Sequence, residues 1–285
     1  MKRTLPAILC AAACLVATAA AAATAPDTLA RIKAAKAITV AYSPDSLPFS
    51  YTDNGAPVGY SIDLCKRVIA QIGRAVGVPM LDVKWVPAQT AQRLEMVASG
   101  KADLECGNTS QTLGRLANVD FSALVFLDTG SFLGRAGSAG RLADMGGRKI
   151  AVLKGTTTEV RLRDALQKRL VNAEVVTIAT PDEGIAMLES GAVDLYAGDR
   201  IKLVGLAARA SDPKKFGLLP DEISYEPYAF ALPRNDSALR LEVNRALSQV
   251  YRSGEIGAIF EQWLGALGRP PDLITAMFIL YVIPD

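Results

Sequence analysis

Four loops of this 285-residue chain carry residue types that recognise a small charged molecule. Lys154-Gly155-Thr156-Thr157-Thr158 leaves an apolar run and opens a helical pattern. Free N–H groups at such a helix start, together with the helix dipole, favour a negative group. Gly107-Asn108-Thr109-Ser110 offers an amide and two hydroxyls, and Arg115 follows shortly after it. A guanidinium is the planar fork that pairs bidentately with a carboxylate. Gly198-Asp199-Arg200 supplies an aspartate suited to a cationic amine, and Pro44–Pro48 is the fourth loop. Carboxylate donors facing an amine acceptor are what a zwitterionic α-amino acid requires. Each piece alone has a plainer role. Thr156 caps a helix, Arg115 is a surface arginine, and Asp199 caps the predicted helix Arg200–Ala207. The set means something only if the fold gathers the loops on one side.

Hydropathy patterning predicts a fold that does so. Ala37–Tyr42 reads as a buried strand, and Phe49–Tyr51 with Pro57–Tyr60 as a hairpin around Asp53-Asn54-Gly55. Ser61 then caps a helix to Ile72 with one apolar stripe. Leu81–Val86 and Asp103–Cys106 are predicted strands flanking the helix Thr90–Ala98. In the second half, Lys149–Leu153 and Val175–Ile178 are predicted strands, with helices at Thr156–Lys168 and Pro181–Ser190. Tyr228–Leu232 follows as a strand, and Ser237–Tyr251 and Ile256–Leu264 as helices. Leu273–Ile283 is expected to dock as an extended terminal strand, being too short to span a bilayer. Such alternation implies a largely parallel sheet covered by helices, with ligands bound beyond the carboxyl ends of the strands.

The pattern also repeats. Met96, Ser99, Gly100, Asp103, Leu104 and Gly107 recur at the same offsets as Met187, Ser190, Gly191, Asp194, Leu195 and Gly198. Two such units a lobe's length apart imply two related lobes. The expected divisions are 1–25 signal peptide, 26–130 lobe 1, 131–228 lobe 2, and 229–285 a return to lobe 1. The signal rests on Lys2 and Arg3, the apolar run from Leu5 to Ala23 and the small residues that end it.

Composition removes several chemistries. The chain has no histidine, so Ser-His-Asp and Cys-His nucleophiles and His-containing zinc sites are excluded. The formal net charge of +2 includes Lys2 and Arg3, and nothing suggests a nucleic-acid partner. Cys65 and Cys106 remain after the signal, and their spacing is compatible with one bridge or with two buried thiols.

At these residues the chain resembles the extracellular solute-binding proteins of amino-acid ABC transporters, family 3. The resemblance runs through Ile38-Thr39-Val40, Pro48-Phe49-Ser50-Tyr51, Gly59–Leu64, Asp103–Gly107 and Gly155-Thr156-Thr157, then Ser253-Gly254-Glu255 and Trp263-Leu264. The segment from Glu105 to Arg115 is most similar to the glutamate/aspartate-binding branch. The resemblance implies an α/β, two-lobed periplasmic-binding-protein fold (type II) with a hinge of two crossing strands. It further implies a monomeric, periplasmic binding protein, not an enzyme, without metal, cofactor or catalytic residues. Its partners are then a free amino acid and an ABC-transporter permease of the inner membrane. In that scheme Arg115, helped by Ser110 and Thr157, holds the α-carboxylate, Asp199 holds the α-amino group, and Thr156 is a further ligand-binding residue. Asn108 is a further donor, and Arg93 beside Thr90 meets the ligand side chain. Two departures affect specificity. Ser43 stands where that branch has an arginine, and Glu183 where it has a histidine. Glutamate or aspartate therefore leads among candidate ligands, with glutamine, asparagine and other polar amino acids behind.

Size favours an enclosed site. A ligand of about ten heavy atoms gains at most ~1.5 kcal/mol per atom. Micromolar binding requires roughly 8 kcal/mol, so nearly every atom must be in contact. The alternatives on the same fold are a cyclohexadienyl-dehydratase-like enzyme using Glu183 or Glu159, and a sensor presenting its ligand to a membrane receptor.

Overall fold

The run Ala37–Tyr42 forms the strand its composition predicts, and the two halves of the molecule are built outward from such strands. A computed structural model describes residues 27–137 and 141–284; the expected signal peptide lies outside them. In chain order the first half comprises α1 (Thr28–Ala35), β1 (Ala37–Tyr42), β2 (Asp45–Ser46), β3 (Ser50–Asp53) and β4 (Ala56–Val58). It continues with α2 (Tyr60–Ala75), β5 (Asp82–Pro87), α3 (Thr90–Ala98), β6 (Leu104–Glu105) and α4 (Leu113–Leu116). The long strand β7 (Val119–Arg135) leads into β8 (Lys149–Leu153), α5 (Thr157–Lys168), β9 (Glu174–Ile178), α6 (Pro181–Ser190) and β10 (Leu195–Asp199). After these come α7 (Arg200–Ala208), β11 (Phe216–Leu218), β12 (Ser224–Pro233), α8 (Ser237–Ser253), α9 (Glu255–Leu264) and α10 (Asp272–Leu280).

The main sheet runs β5-β1-β6-β12-β7-β10-β8-β9. Its ends mirror each other, because β1 lies parallel between β5 and β6 as β8 lies parallel between β9 and β10. Strands β7 and β12 pair antiparallel at the centre and carry the chain across and back, a hinge of two crossing strands. The expected divisions at 130 and 228 fall inside these two strands, which serve both halves.

The sequence repeat has a shared structural purpose. Asp103 accepts a hydrogen bond from Thr39 N at 2.7 Å, and Asp194 accepts one from Lys149 N at 2.9 Å. In both halves, then, the repeated aspartate ties the start of the first strand to the start of the third. Arg31 pairs with Asp103 as Arg148 does with Asp194. Gly100 and Gly191 end the preceding helices at φ 73° and 78°, a conformation that glycine adopts without a steric penalty.

Three differences from the expected elements have clear causes. Leu273–Ile283 is largely the helix α10 rather than a strand, because Ile274, Met277 and Phe278 fall at helical spacing and bury one face. Helix α2 begins two residues earlier, at Tyr60, with Gly59 in place of Ser61 at the cap and no side-chain cap. Strand β7 was not legible because it is buried on both faces where it crosses, which erases the period-two alternation.

The largest core packs α2, α8, α9 and α10 against the first half and includes Cys65 and Cys106, joined as a disulfide. The bond closes a loop of 41 residues, and loop-closure entropy makes that worth about 4 kcal/mol. Reduction, or the double substitution to alanine, is expected to lower unfolding stability by ~2–4 kcal/mol. Denaturant titration with and without reductant measures this, and coincident curves would contradict it.

Candidate functional site

The loop Gly107–Ser110 is tied to the hinge rather than left free. Ala229 N donates to Thr109 O and Gln111 N to Pro227 O, so Ser110 sits opposite Tyr228 on β12. This brings Ser110 to the one residue around which the site is organised, Glu226. Ser110 Oγ and Thr157 Oγ1 both donate to Glu226 Oε2, the latter at 2.6 Å, while Ser224 Oγ donates to Oε1 at 2.6 Å. Glu226 is 1% exposed. Its carboxylate thus joins a first-half loop, a second-half helix start and the hinge.

The next residue of α5 turns the other way. Thr158 Oγ1 donates to Asp199 Oδ1 at 2.8 Å, and Tyr228 Oη donates to Asp199 Oδ2 at 2.6 Å. Lys202 Nζ lies 3.4 Å from the same oxygen. Asp128, on β7 opposite Glu226, accepts from Thr129 N at 2.8 Å and from Ile201 N at 3.2 Å. Tyr228 Oη also lies 3.3 Å from Asp128 Oδ2. Arg115 reaches in from α4, donating from Nη1 to Ser110 O at 2.7 Å. It lines a cleft of about 430 Å³ with Thr90, Asn118, Val119 and Gly155, so both halves border that space.

Arg115, Ser110, Thr157 and Asp199 therefore come together, through Glu226 and the Thr157-Thr158 pair. The details differ from the expected scheme. The Ser110 and Thr157 hydroxyls point to Glu226. Hydrogen bonds to a charged group are worth ~1.5–3 kcal/mol each, so a ligand that evicted Glu226 would forfeit much of a micromolar affinity. Thr156 is the N-cap of α5, accepting from Glu159 N at 3.2 Å. Arg93 is fully buried with its donors engaged, by Glu105 at 2.8 Å and by Ala88 O, Thr109 and Thr90. Gly107 closes over this pair, since a Cβ there would lie 2.4 Å from Glu105 Oε1. Asn108 is buried with its side-chain oxygen unpartnered, as is Glu105 Oε2. Ser43 is buried among Asp45, Ser46 and Ser50.

The two glutamates considered as acid or base are helix caps. Glu159 Oε2 accepts from Gly155 N at 2.9 Å and Glu183 Oε2 from Ala179 N at 2.8 Å. Glu226, Asp128, Tyr228 and Lys202 are not marked as site residues by the sequence, and Thr158 is marked only as a member of the loop Lys154–Thr158. The available signal was a glutamate in phase with Tyr228, Phe230 and Leu232, on the buried face of β12.

The family follows from the sequence match. Residues 38–266 match the model of bacterial extracellular solute-binding proteins, family 3. The chain belongs to this family. The binding protein is 29% identical over 239 residues to an L-glutamate/L-aspartate-binding protein of Pseudomonas aeruginosa, covering 83% of this chain and 79% of that one. It is similar in structure to an ancestral arginine-binding protein bound to glutamine, with a TM-score of 0.71 and 25% identity over 81% of this chain and 98% of the other. An ancestral amino-acid-binding protein described as a precursor of cyclohexadienyl dehydratase gives a TM-score of 0.69 and 26% identity, covering 83% and 98%.

Burial shifts the ionisation of the site. It pulls the Arg115 guanidinium below its usual value, against the attraction of Glu105 and Glu226. Burial, and then the charge of Asp199, push Asp128 up to about 8. Asp199 is held below its ordinary value, since the opposing effect of burial is outweighed by Lys202 and by hydrogen bonds from Tyr228 and Thr158. Of the two, Asp128 is the one on which burial and the neighbouring charge favour the proton. An unfolded aspartate titrates near ~3.9, so the stability held here is complete below about pH 4 and is lost as pH rises toward 8. Asp128→Asn is expected to reduce the fall in urea midpoint between pH 5 and pH 8. An equal fall in both proteins would contradict this assignment.

Proposed function

We propose that this binding protein captures one free amino acid between its two lobes, after export to the periplasm, and delivers it to an ABC-transporter permease. The observation that carries the reading is the meeting of Arg115, the start of α5 and buried carboxylates from the hinge and second half. Arg115 is the natural partner for the α-carboxylate, and the acidic group around Glu226 and Asp199 for the α-amino group. Asn108 supplies a buried polar group with unused capacity. A polar or acidic side chain fits best, with glutamate and aspartate favoured by the names of several relatives. Binding without turnover is supported by the engagement of Glu159 and Glu183 in helix caps.

A thermal-shift screen of the twenty amino acids is expected to give one or a few hits, since a ligand at 100 times its Kd adds ~2.7 kcal/mol. Absence of any hit would refute the reading. Arg115→Ala is expected to weaken binding of the hit by ~2–5 kcal/mol in calorimetric titration. Unchanged affinity would remove Arg115 from the site.

A further inference from the structure

A hollow of about 380 Å³ lies on the hinge and shares no bordering residue with the cleft beside Arg115. Its size is that of a small-molecule pocket, for which about 300–1,000 Å³ is usual. Both halves build it. Phe126 comes from β7, Ile201 from α7 of the second half, and Phe260, Leu264 and Ile274 from the C-terminal helices packed on the first. Phe126, Phe260, Leu264 and Ile274 are buried, whereas Tyr225, Leu267 and Leu273 border the same space and are 71%, 46% and 57% exposed. Large apolar side chains left unburied around one hollow mark a binding surface, which singly scattered ones do not.

The charges on its border are unbalanced. Arg200 and Arg269 both line the hollow, and among the described residues neither has an ion-pair or side-chain hydrogen-bond partner. The acids there are Glu222, which accepts from Thr129 Oγ1 at 3.3 Å, and Asp128, which favours the neutral form. Two guanidiniums thus stand against one carboxylate, a surplus that a single anionic group would neutralise. An apolar interior beside unpaired guanidiniums is complementary to a molecule with a hydrocarbon body and one carboxylate.

We propose that the hinge hollow is a second binding site, which takes a small amphipathic monocarboxylate. Its hydrocarbon lies against Phe126, Phe260 and Leu264, and its carboxylate meets Arg200 and Arg269. Such an occupant touches both halves where the crossing strands join them. The site is independent of the amino-acid reading above, and its ligand needs no amine.

The probe is octanoate, titrated calorimetrically into the protein, with 1-octanol and hexanoate for comparison. Octanoate is expected to bind saturably and at least about tenfold more tightly than 1-octanol, which lacks the charge. Hexanoate is expected to bind about tenfold or more weakly than octanoate, because it buries two methylenes fewer. Joint substitution of Arg200→Gln and Arg269→Gln is expected to weaken octanoate at least about fivefold. Absence of saturable octanoate binding, equal affinity for 1-octanol, or indifference to chain length would each overturn the proposal. Unchanged octanoate affinity in the double variant would overturn it as well. So would a loss of octanoate binding in Arg115→Ala, which would put the probe in the cleft. The head-group and chain-length comparisons need only the wild type, so they decide the matter should the double variant fail to fold.

Discussion

A carboxylate taken out of water must be neutralised, paired or surrounded by donors, and this requirement organises the centre of the molecule. The structure meets it in three ways within a few residues. Asp128 is favoured as the neutral acid, Asp199 is paired with Lys202, and Glu226 is surrounded by hydroxyls. Each solution draws a donor from a different part of the chain. The first-half loop, the start of α5 and the hinge strands are consequently held in register by polar contacts, where an apolar core would hold them less specifically.

The scaffold beneath this centre is a duplicated unit. Each half builds its sheet around one strand whose start is tied by the repeated aspartate, Asp103 or Asp194. The chain therefore leaves β6 and β10 at equivalent places in the two halves. Asn108 and Ser110 follow β6, and Asp199 ends β10 at the start of α7. The crossing strands lie between them, and that position is why a residue of β12 contacts both. The disulfide between Cys65 and Cys106 fastens α2 to the chain between β6 and Asn108.

Much of this was legible in the sequence, and the gaps have physical reasons. Helix α2 announced itself by its apolar stripe, helices α3 and α6 by the repeated Ser-Gly that ends each, and the Gly-Thr-Thr turn by its position between a strand and a helix. Arg115, Asp199, Ser110 and Thr157 were marked by loop position, and they do come together. Arg93 is marked by the family resemblance alone, and nothing in its spacing reveals that it pairs with Glu105. Glu226 was overlooked because the apolar run of strand β12 begins at Tyr228, four residues after the strand itself. Lys202 was hidden in an ordinary helix, where only the tertiary approach of Asp199 gives it a partner. Local pattern exposes what a residue does to its own segment, whereas pairing across the hinge is a property of the closed sheet.

The central claim is a location, between the lobes and against Arg115. The molecule offers a competing location, a mainly apolar hollow of about 380 Å³ on the hinge, bordered by Phe126, Phe260, Leu264 and Ile274. A crystal structure with the amino acid selected by screening distinguishes the two. The account predicts density in the cleft, with carboxylate oxygens on the Arg115 guanidinium and the nitrogen toward the buried acids. Density in the hinge hollow, with the cleft side chains unaltered and no ligand touching Arg115, would contradict it.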